Sequence, residues 1–166
     1  LHHLDGRDLG TELKLTDLEA TGIIYHSLRK PDFQRETASW DAAKIADFIK
    51  SFVDGDLIPA IIMWRSPKTG NLFVIDGAHR LSALIAWIND DYGDESLSRP
   101  FFQQMIESSQ LKAAAETREI VDAEIGKYSR LKQYALKPDA APDQRTLLRG
   151  RNMGAFNITL QWVEGD

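Results

Sequence analysis

Val74-Ile75-Asp76-Gly77-Ala78-His79-Arg80-Leu81 is the stretch on which the fold turns. An apolar run ends in Asp-Gly, and a polar His-Arg pair follows at once. Leu81, Leu84, Ile85 and Ile88 then recur at i, i+3, i+4 and i+7, the core stripe of a helix. The pattern predicts a strand, a sharp turn and a helix reaching about residue 89. Gly77 allows a tight turn or the close approach of a ligand. A helix start presents unpaired N–H groups and the positive end of the dipole, so the junction suits an anion. Arg80 can fork onto a phosphate or a carboxylate. Asp76 can hold a metal or a water, and His79 can shuttle a proton or donate to an oxyanion. The same residues also have a plainer reading: Asp-Gly as an ordinary turn, Asp76 as an N-cap and Arg80 as a solvated side chain.

Outward from this junction, residues 60–64 are apolar throughout, which predicts a strand buried on both faces. Turn residues fill 66–71, and 72–75 form the return strand, so 60–75 read as a hairpin at the centre of the sheet. Upstream, Ser39 is a suitable N-cap for a helix running to about Val53, with Ile45, Phe48, Ile49 and Phe52 on its apolar face. Asp54-Gly55-Asp56 and Pro59 end it. Lys30-Pro31-Asp32 is a loop. Residues 12–28 form a lead-in in which Gly22 and Ile23-Ile24-Tyr25 favour a strand.

Downstream, Asp90-Asp91-Tyr92-Gly93-Asp94-Glu95 is expected to be a solvated loop. It lacks the alternating ligands and terminal glutamate of a calcium loop. Residues 110–136 are helical with a break near Gly126, 138–142 are linker-like, and alternation from about Ala155 predicts a closing strand. The expected core is Ile45, Phe48, Ile49, Ile61, Ile62, Phe73, Ile75, Leu84, Ile85 and Ile88.

The chain has 166 residues, 43% of them hydrophobic, enough for one globular domain with a sizeable core. There is no cysteine, which rules out disulfides, zinc-thiolate sites and a cysteine nucleophile. No apolar run approaches the ~20 residues of a membrane span, and no secretory signal is visible, so the cytoplasm is the expected compartment. The net charge of −5 argues against gripping DNA through phosphates over the whole surface. Basic residues are nevertheless concentrated at Arg29, Lys30 and Arg35, and at Arg145, Arg149 and Arg151. No phosphate-binding Gly-x-x-x-x-Gly-Lys-Ser/Thr loop, zinc-ligand spacing or internal repeat is present. The first residue is Leu rather than Met, which suggests an N-terminal fragment of a longer protein.

A second constellation precedes the first: Phe33-Gln34-Arg35, Trp40, Lys44-Ile45 and Leu57-Ile58-Pro59. Gln34 and Arg35, just before a helix, can reach a ligand from a second side. Trp40 reads as a core anchor or as a platform on which a base stacks. In combination the two constellations resemble the ParB/sulfiredoxin-like superfamily. They are most similar to its branch with an Asp-Gly-Gln-Gln-Arg or Asp-Gly-Gln-His-Arg motif, found at the N-terminus of GmrSD-type restriction proteins. The resemblance covers about residues 25–90.

It implies that the motif Asp, Gly, His and Arg fall on Asp76, Gly77, His79 and Arg80, and the earlier Gln-Arg pair on Gln34 and Arg35. In such restriction proteins these motifs are associated with binding and hydrolysis of a nucleoside triphosphate, which controls a separate nuclease domain. ParB members bind a cytidine nucleotide through a related, diverged loop. Ala78 stands where the family usually has Gln, removing an amide that could orient a water or touch a base. Binding is therefore expected to be retained better than hydrolysis. No nuclease signature is visible, because the last histidine is His79.

The resulting expectation is a single α+β, ParB/sulfiredoxin-like domain over residues 1–166, a small mixed or antiparallel sheet packed by helices, with a functional core at 25–90. Its expected role is that of a nucleotide-binding regulatory domain in a DNA-related restriction or defence protein, with triphosphate hydrolysis as its candidate chemistry. Arg80 and the helix start hold phosphates, and Arg35 neutralises developing charge from the other side. Asp76 carries Mg²⁺, and His79 orients groups or donates a proton. DNA is reached through a downstream domain. The alternative is a non-catalytic DNA-binding or protein-interaction module, in which Arg29, Lys30 and Arg35 contact phosphates and Asp76 is a cap.

Overall fold

The computed structural model describes residues 10–28, 40–95 and 107–165. Four short strands form one mixed sheet in the order β1-β4-β2-β3: β1 (Glu12–Leu13), β2 (Ile61–Arg65), β3 (Leu72–Asp76) and β4 (Ile158–Trp162). The β1–β4 and β2–β3 pairs are antiparallel, and β2–β4 is parallel. The expected hairpin is present, its turn closed by hydrogen bonds from Ser66 N–H to the Asn71 carbonyl and from Gly70 N–H to the Ser66 carbonyl. It is not the centre of the sheet, because β3 is the last strand. Ile75 is consequently 59% exposed instead of core. Nor is β2 buried on both faces. Ile61 and Met63 point into the core, while Ile62 and Trp64 are half-buried on the other side, Trp64 packing on Phe73 at 5.3 Å. An antiparallel hairpin has one face to bury and one to solvate, and this one follows that rule.

The helices are α1 (Ile23–Ser27), α2 (Ala42–Val53), α3 (Ala78–Asn89), α4 (Ser108–Glu124), α5 (Tyr128–Leu136) and α6 (Gln144–Ala155). The Ile-Ile-Tyr run forms α1 rather than a strand. Tyr25 and Leu28, three residues apart, are buried while Ile23 points out, which is helical and not alternating spacing. The N-cap of α2 is Asp41, whose carboxylate accepts from Lys44 N–H at 2.8 Å; Ser39 lies outside the described residues. Ile45, Ile49, Phe52 and Val53 of α2 are buried, and Phe48 is half-buried against them.

In α3 every residue from Leu81 to Ile88 is buried. The stripe read from the sequence is thus only part of a helix surrounded on all sides. The break between α4 and α5 falls where expected, at Gly126 with φ +104.

One expectation fails for a reason that lies far away in the chain. The acidic segment is not solvated: Asp91 and Asp94 are 6% and 7% exposed. The Asp91 carboxylate accepts N–H bonds from Gly93, Asp94 and Glu95. Arg118 of α4 forks onto Asp94 at 2.7 and 2.9 Å and also reaches Asp90 at 2.9 Å. A paired guanidinium offsets the cost of burying carboxylates.

The linker-like stretch is, as expected, an exposed connection; it holds a 3-10 turn, Pro138–Ala140, and leads into α6, which Asp143 caps by accepting from Thr146 N–H at 2.7 Å. Gly150 brings α6 against α5; a Cβ there would stand 3.0 Å from the Leu131 carbonyl oxygen. Arg149, 5% exposed, bonds Asp54 at 2.7 and 3.2 Å and donates to the Glu124 carbonyl. One of the three arginines read as a basic patch is therefore a buried strut, whereas Arg145 and Arg151 are exposed. Among the described residues no helix is long and apolar enough to cross a membrane.

Candidate functional site

The chain leaves β3 at Asp76 and enters α3 at Ala78 through a single residue, Gly77, at φ +98 and ψ 18. Left-handed backbone of this kind favours glycine. Space disfavours a side chain as well, since a Cβ would stand 2.5 Å from Ile61 Cδ1 and 3.0 Å from Arg80 Nη2 and both side chains would have to shift. Because Gly77 is the N-cap, no side chain caps α3 from that position. Asp76 is thus not the cap that a plain reading supposes. Its carboxylate is 66% exposed and stands 3.6 Å from the Arg80 guanidinium.

The Arg80 side chain is only 17% exposed. Its Nη1 donates to the Pro59 carbonyl at 2.5 Å. One guanidinium therefore ties the loop before β2, the end of β3 and the first turn of α3. His79, one residue earlier on the helix, lies against Trp40, with ring centroids 5.3 Å apart and 32° between planes. Trp40 also packs on Phe48, at 6.2 Å and 54°. Trp40 is half-buried and packed against the core, as its core-anchor reading expects.

The structure thus brings Asp76 and Arg80 together across Gly77 and sets His79 against Trp40. Gln34 and Arg35 lie outside the described residues. Of the described residues nearest them in the chain, Trp40 borders the site and Leu28 lies at the far end of β3. Leu28 forms a parallel bridge to Leu72 at the start of β3, and Trp40 packs on His79 just past its end. Among the described residues no group of three or more histidines and carboxylates could hold a metal. A single carboxylate such as Asp76 suits a Mg²⁺ ion that keeps waters and takes its other ligands from substrate phosphates.

Beside Trp40 lies a groove of about 270 Å³. Ile45 of α2 and Tyr92 line it, and opposite stands the face of α4 carrying Gln110, Ala113, Ala114 and Thr117. These α4 residues lie outside both motifs legible in the sequence. Small and polar side chains recurring at three- and four-residue spacing on one helix face were the available signal. A smaller cavity of about 110 Å³ near Trp87 and Tyr128 is bordered by Asp90, Asp122 and Lys127. Lys127 pairs with both carboxylates, at 3.2 and 2.9 Å, so this cavity belongs to the structural ion-pair network.

Over residues 15–157 the chain matches the family described as GmrSD restriction endonuclease, N-terminal domain. Neither a curated protein nor a solved structure matches it.

Proposed function

We propose that this chain, which belongs to the family of GmrSD restriction endonuclease N-terminal domains, is a nucleotide-binding regulatory domain with its phosphate site at the β3–α3 junction. Membership of the family makes it a module of the DNA-related restriction type; the nucleotide is the finer reading. The observation that carries this reading is Gly77. It starts a helix without a capping side chain, beside a guanidinium already held in place. Such a helix start offers N–H groups and the positive dipole end to an anion. Arg80 has five N–H donors and gives one to Pro59, which leaves others for a phosphate oxygen.

In this reading Asp76 would hold Mg²⁺ together with the phosphates, and the ion would supply neutralising charge. His79 orients groups at the helix start or donates a proton. Arg35 adds a second cation; Trp40, five residues after it, packs on His79 of the motif. Ala78, in place of the amide common in the motif, makes binding without fast hydrolysis the expected state. We read the fold as ParB/sulfiredoxin-like, the protein as cytoplasmic, and DNA as the target of a further domain. Calorimetry with each of the four triphosphates, with and without Mg²⁺, tests the reading. The wild type should release Mg²⁺-dependent heat, and Asp76→Asn, at an exposed position, should lose the Mg²⁺ dependence and keep its fold. A folded wild type that shows no nucleotide heat would overturn it.

The Arg80–Pro59 hydrogen bond favours a second reading, in which Arg80 is only a latch and the domain is a non-catalytic DNA- or protein-binding module. Duplex DNA binding that steepens as salt falls, with no effect of nucleotide, would support it.

A further inference from the structure

We infer that the groove beside Trp40 is the base subsite of the nucleotide whose phosphates are placed at the β3–α3 junction. The inference rests on that nucleotide reading and deepens it. Continuity is the first ground. Trp40 packs its ring on His79, inside the motif, and also lines the groove. One aromatic residue therefore joins the two places.

Size is the second ground. About 270 Å³ lies just below the roughly 300–1,000 Å³ of pockets that take a drug-sized ligand, which suits a flat heterocycle rather than a whole nucleotide. Lining is the third. Trp40, Tyr92, Ile45, Ala113 and Ala114 supply aromatic and aliphatic walls, and Glu107, Ser109, Gln110 and Thr117 supply the polar groups. Sites for planar ligands have this composition, and a base stacks on an aromatic face whatever its sequence identity.

Gln110 is the fourth ground. Its Nε2 donates to the Gly93 carbonyl at 3.0 Å. A carbonyl accepts only from the amide nitrogen, so the amide is oriented and its Oε1 becomes the pole offered elsewhere. Gly93 permits this approach. It has φ +100, and a Cβ there would stand 3.1 Å from Gln110 Nε2. An oriented acceptor among the lining residues reads an amino or imino N–H on a base edge.

Titration of the wild type, Ala113→Phe and Gln110→Leu with the four nucleoside triphosphates and with inorganic tripolyphosphate tests the inference. Ala113 is exposed on α4, so the larger ring enters the groove without displacing core. Circular dichroism and thermal unfolding verify the fold of each variant. Ala113→Phe should weaken nucleotide binding about tenfold or more, as loss of one stacked base does, and leave tripolyphosphate binding unchanged. Gln110→Leu should level the affinities of the four bases. If Ala113→Phe binds every nucleotide as the wild type does while tripolyphosphate still binds, the base subsite is wrong and the phosphate site stands. If the variant also loses tripolyphosphate, the effect is not local and the base subsite is again overturned. If the wild type binds neither nucleotide nor tripolyphosphate, the nucleotide reading itself falls, and the base subsite with it.

Discussion

Gly77 is constrained twice, by a left-handed backbone and by the 2.5 Å that a Cβ would leave to Ile61. Left-handed backbone alone costs a side chain roughly 1–2 kcal/mol, and the collision with a buried isoleucine adds to it. Gly77→Ala should therefore lose at least about 2 kcal/mol, a fall of about 4–8 °C in Tm for a domain of this size, read by thermal unfolding. Among the described residues Asp54, Asp94 and the exposed N-cap Asp143 have lowered pKa values, and the two ion-paired ones bear most on stability in acid. Asp54 lies below the usual carboxylate range, chiefly because Arg149 hydrogen-bonds it. For Asp94 burial pushes upward, but the hydrogen bonds and charge of Arg118, with the Tyr92 and Asp94 N–H groups, outweigh it and hold the pKa low. A depressed carboxylate stabilises the fold fully above its unfolded value, about 3.9. That stability is lost as the pH falls through the folded value. Stability should hold from pH 7 to 5 and drop below about pH 4. In Asp94→Asn, unfolding followed against pH should show a smaller drop over that acid range, from a lower starting stability.

Among the elements, α3 is the most deeply packed, and the cost of truncation should follow burial. Leu84→Ala, at a site 1% exposed, should cost about 2–5 kcal/mol. Phe48→Ala, at a half-buried site, should cost less, and chemical denaturation of the two variants checks the order. Much of this level was legible in the sequence because the signals are local: the turn at 66–71, the periodic stripe of α3, the stop after Val53, the break at Gly126 and the alternation of β4. What was not legible depends on distant partners. The acidic segment is buried because Arg118 reaches it from another helix. Helix α6 carries two glycines, poor helix formers, and is held in part by the Arg149–Asp54 pair. Ile75 is exposed because strand order, which no local period encodes, puts β3 at the edge. The site divides in the same way. Asp76, Gly77, His79 and Arg80 are neighbours in the chain and were found together, whereas the groove needs α4 brought up from another part of it.

At the scale of the whole molecule, the sheet order sets the motif at the end of an edge strand, where the described part of the site faces outward. The net charge of −5 weighs against binding DNA through its phosphates, and Arg149 of the C-terminal arginine group is buried. Binding of duplex DNA by this domain alone should accordingly be weak at physiological salt, which a salt titration by fluorescence anisotropy would show. The central claim is that Arg80 and the start of α3 hold a triphosphate. Its most direct test is the Mg²⁺-triphosphate affinity of Arg80→Ala beside the wild type, with both shown to be folded at the temperature of measurement. Loss of one charge-assisted phosphate bond, about 1.5–3 kcal/mol, should weaken binding by roughly ten- to a hundredfold. A folded Arg80→Ala that binds the triphosphate as tightly as the wild type would contradict the claim.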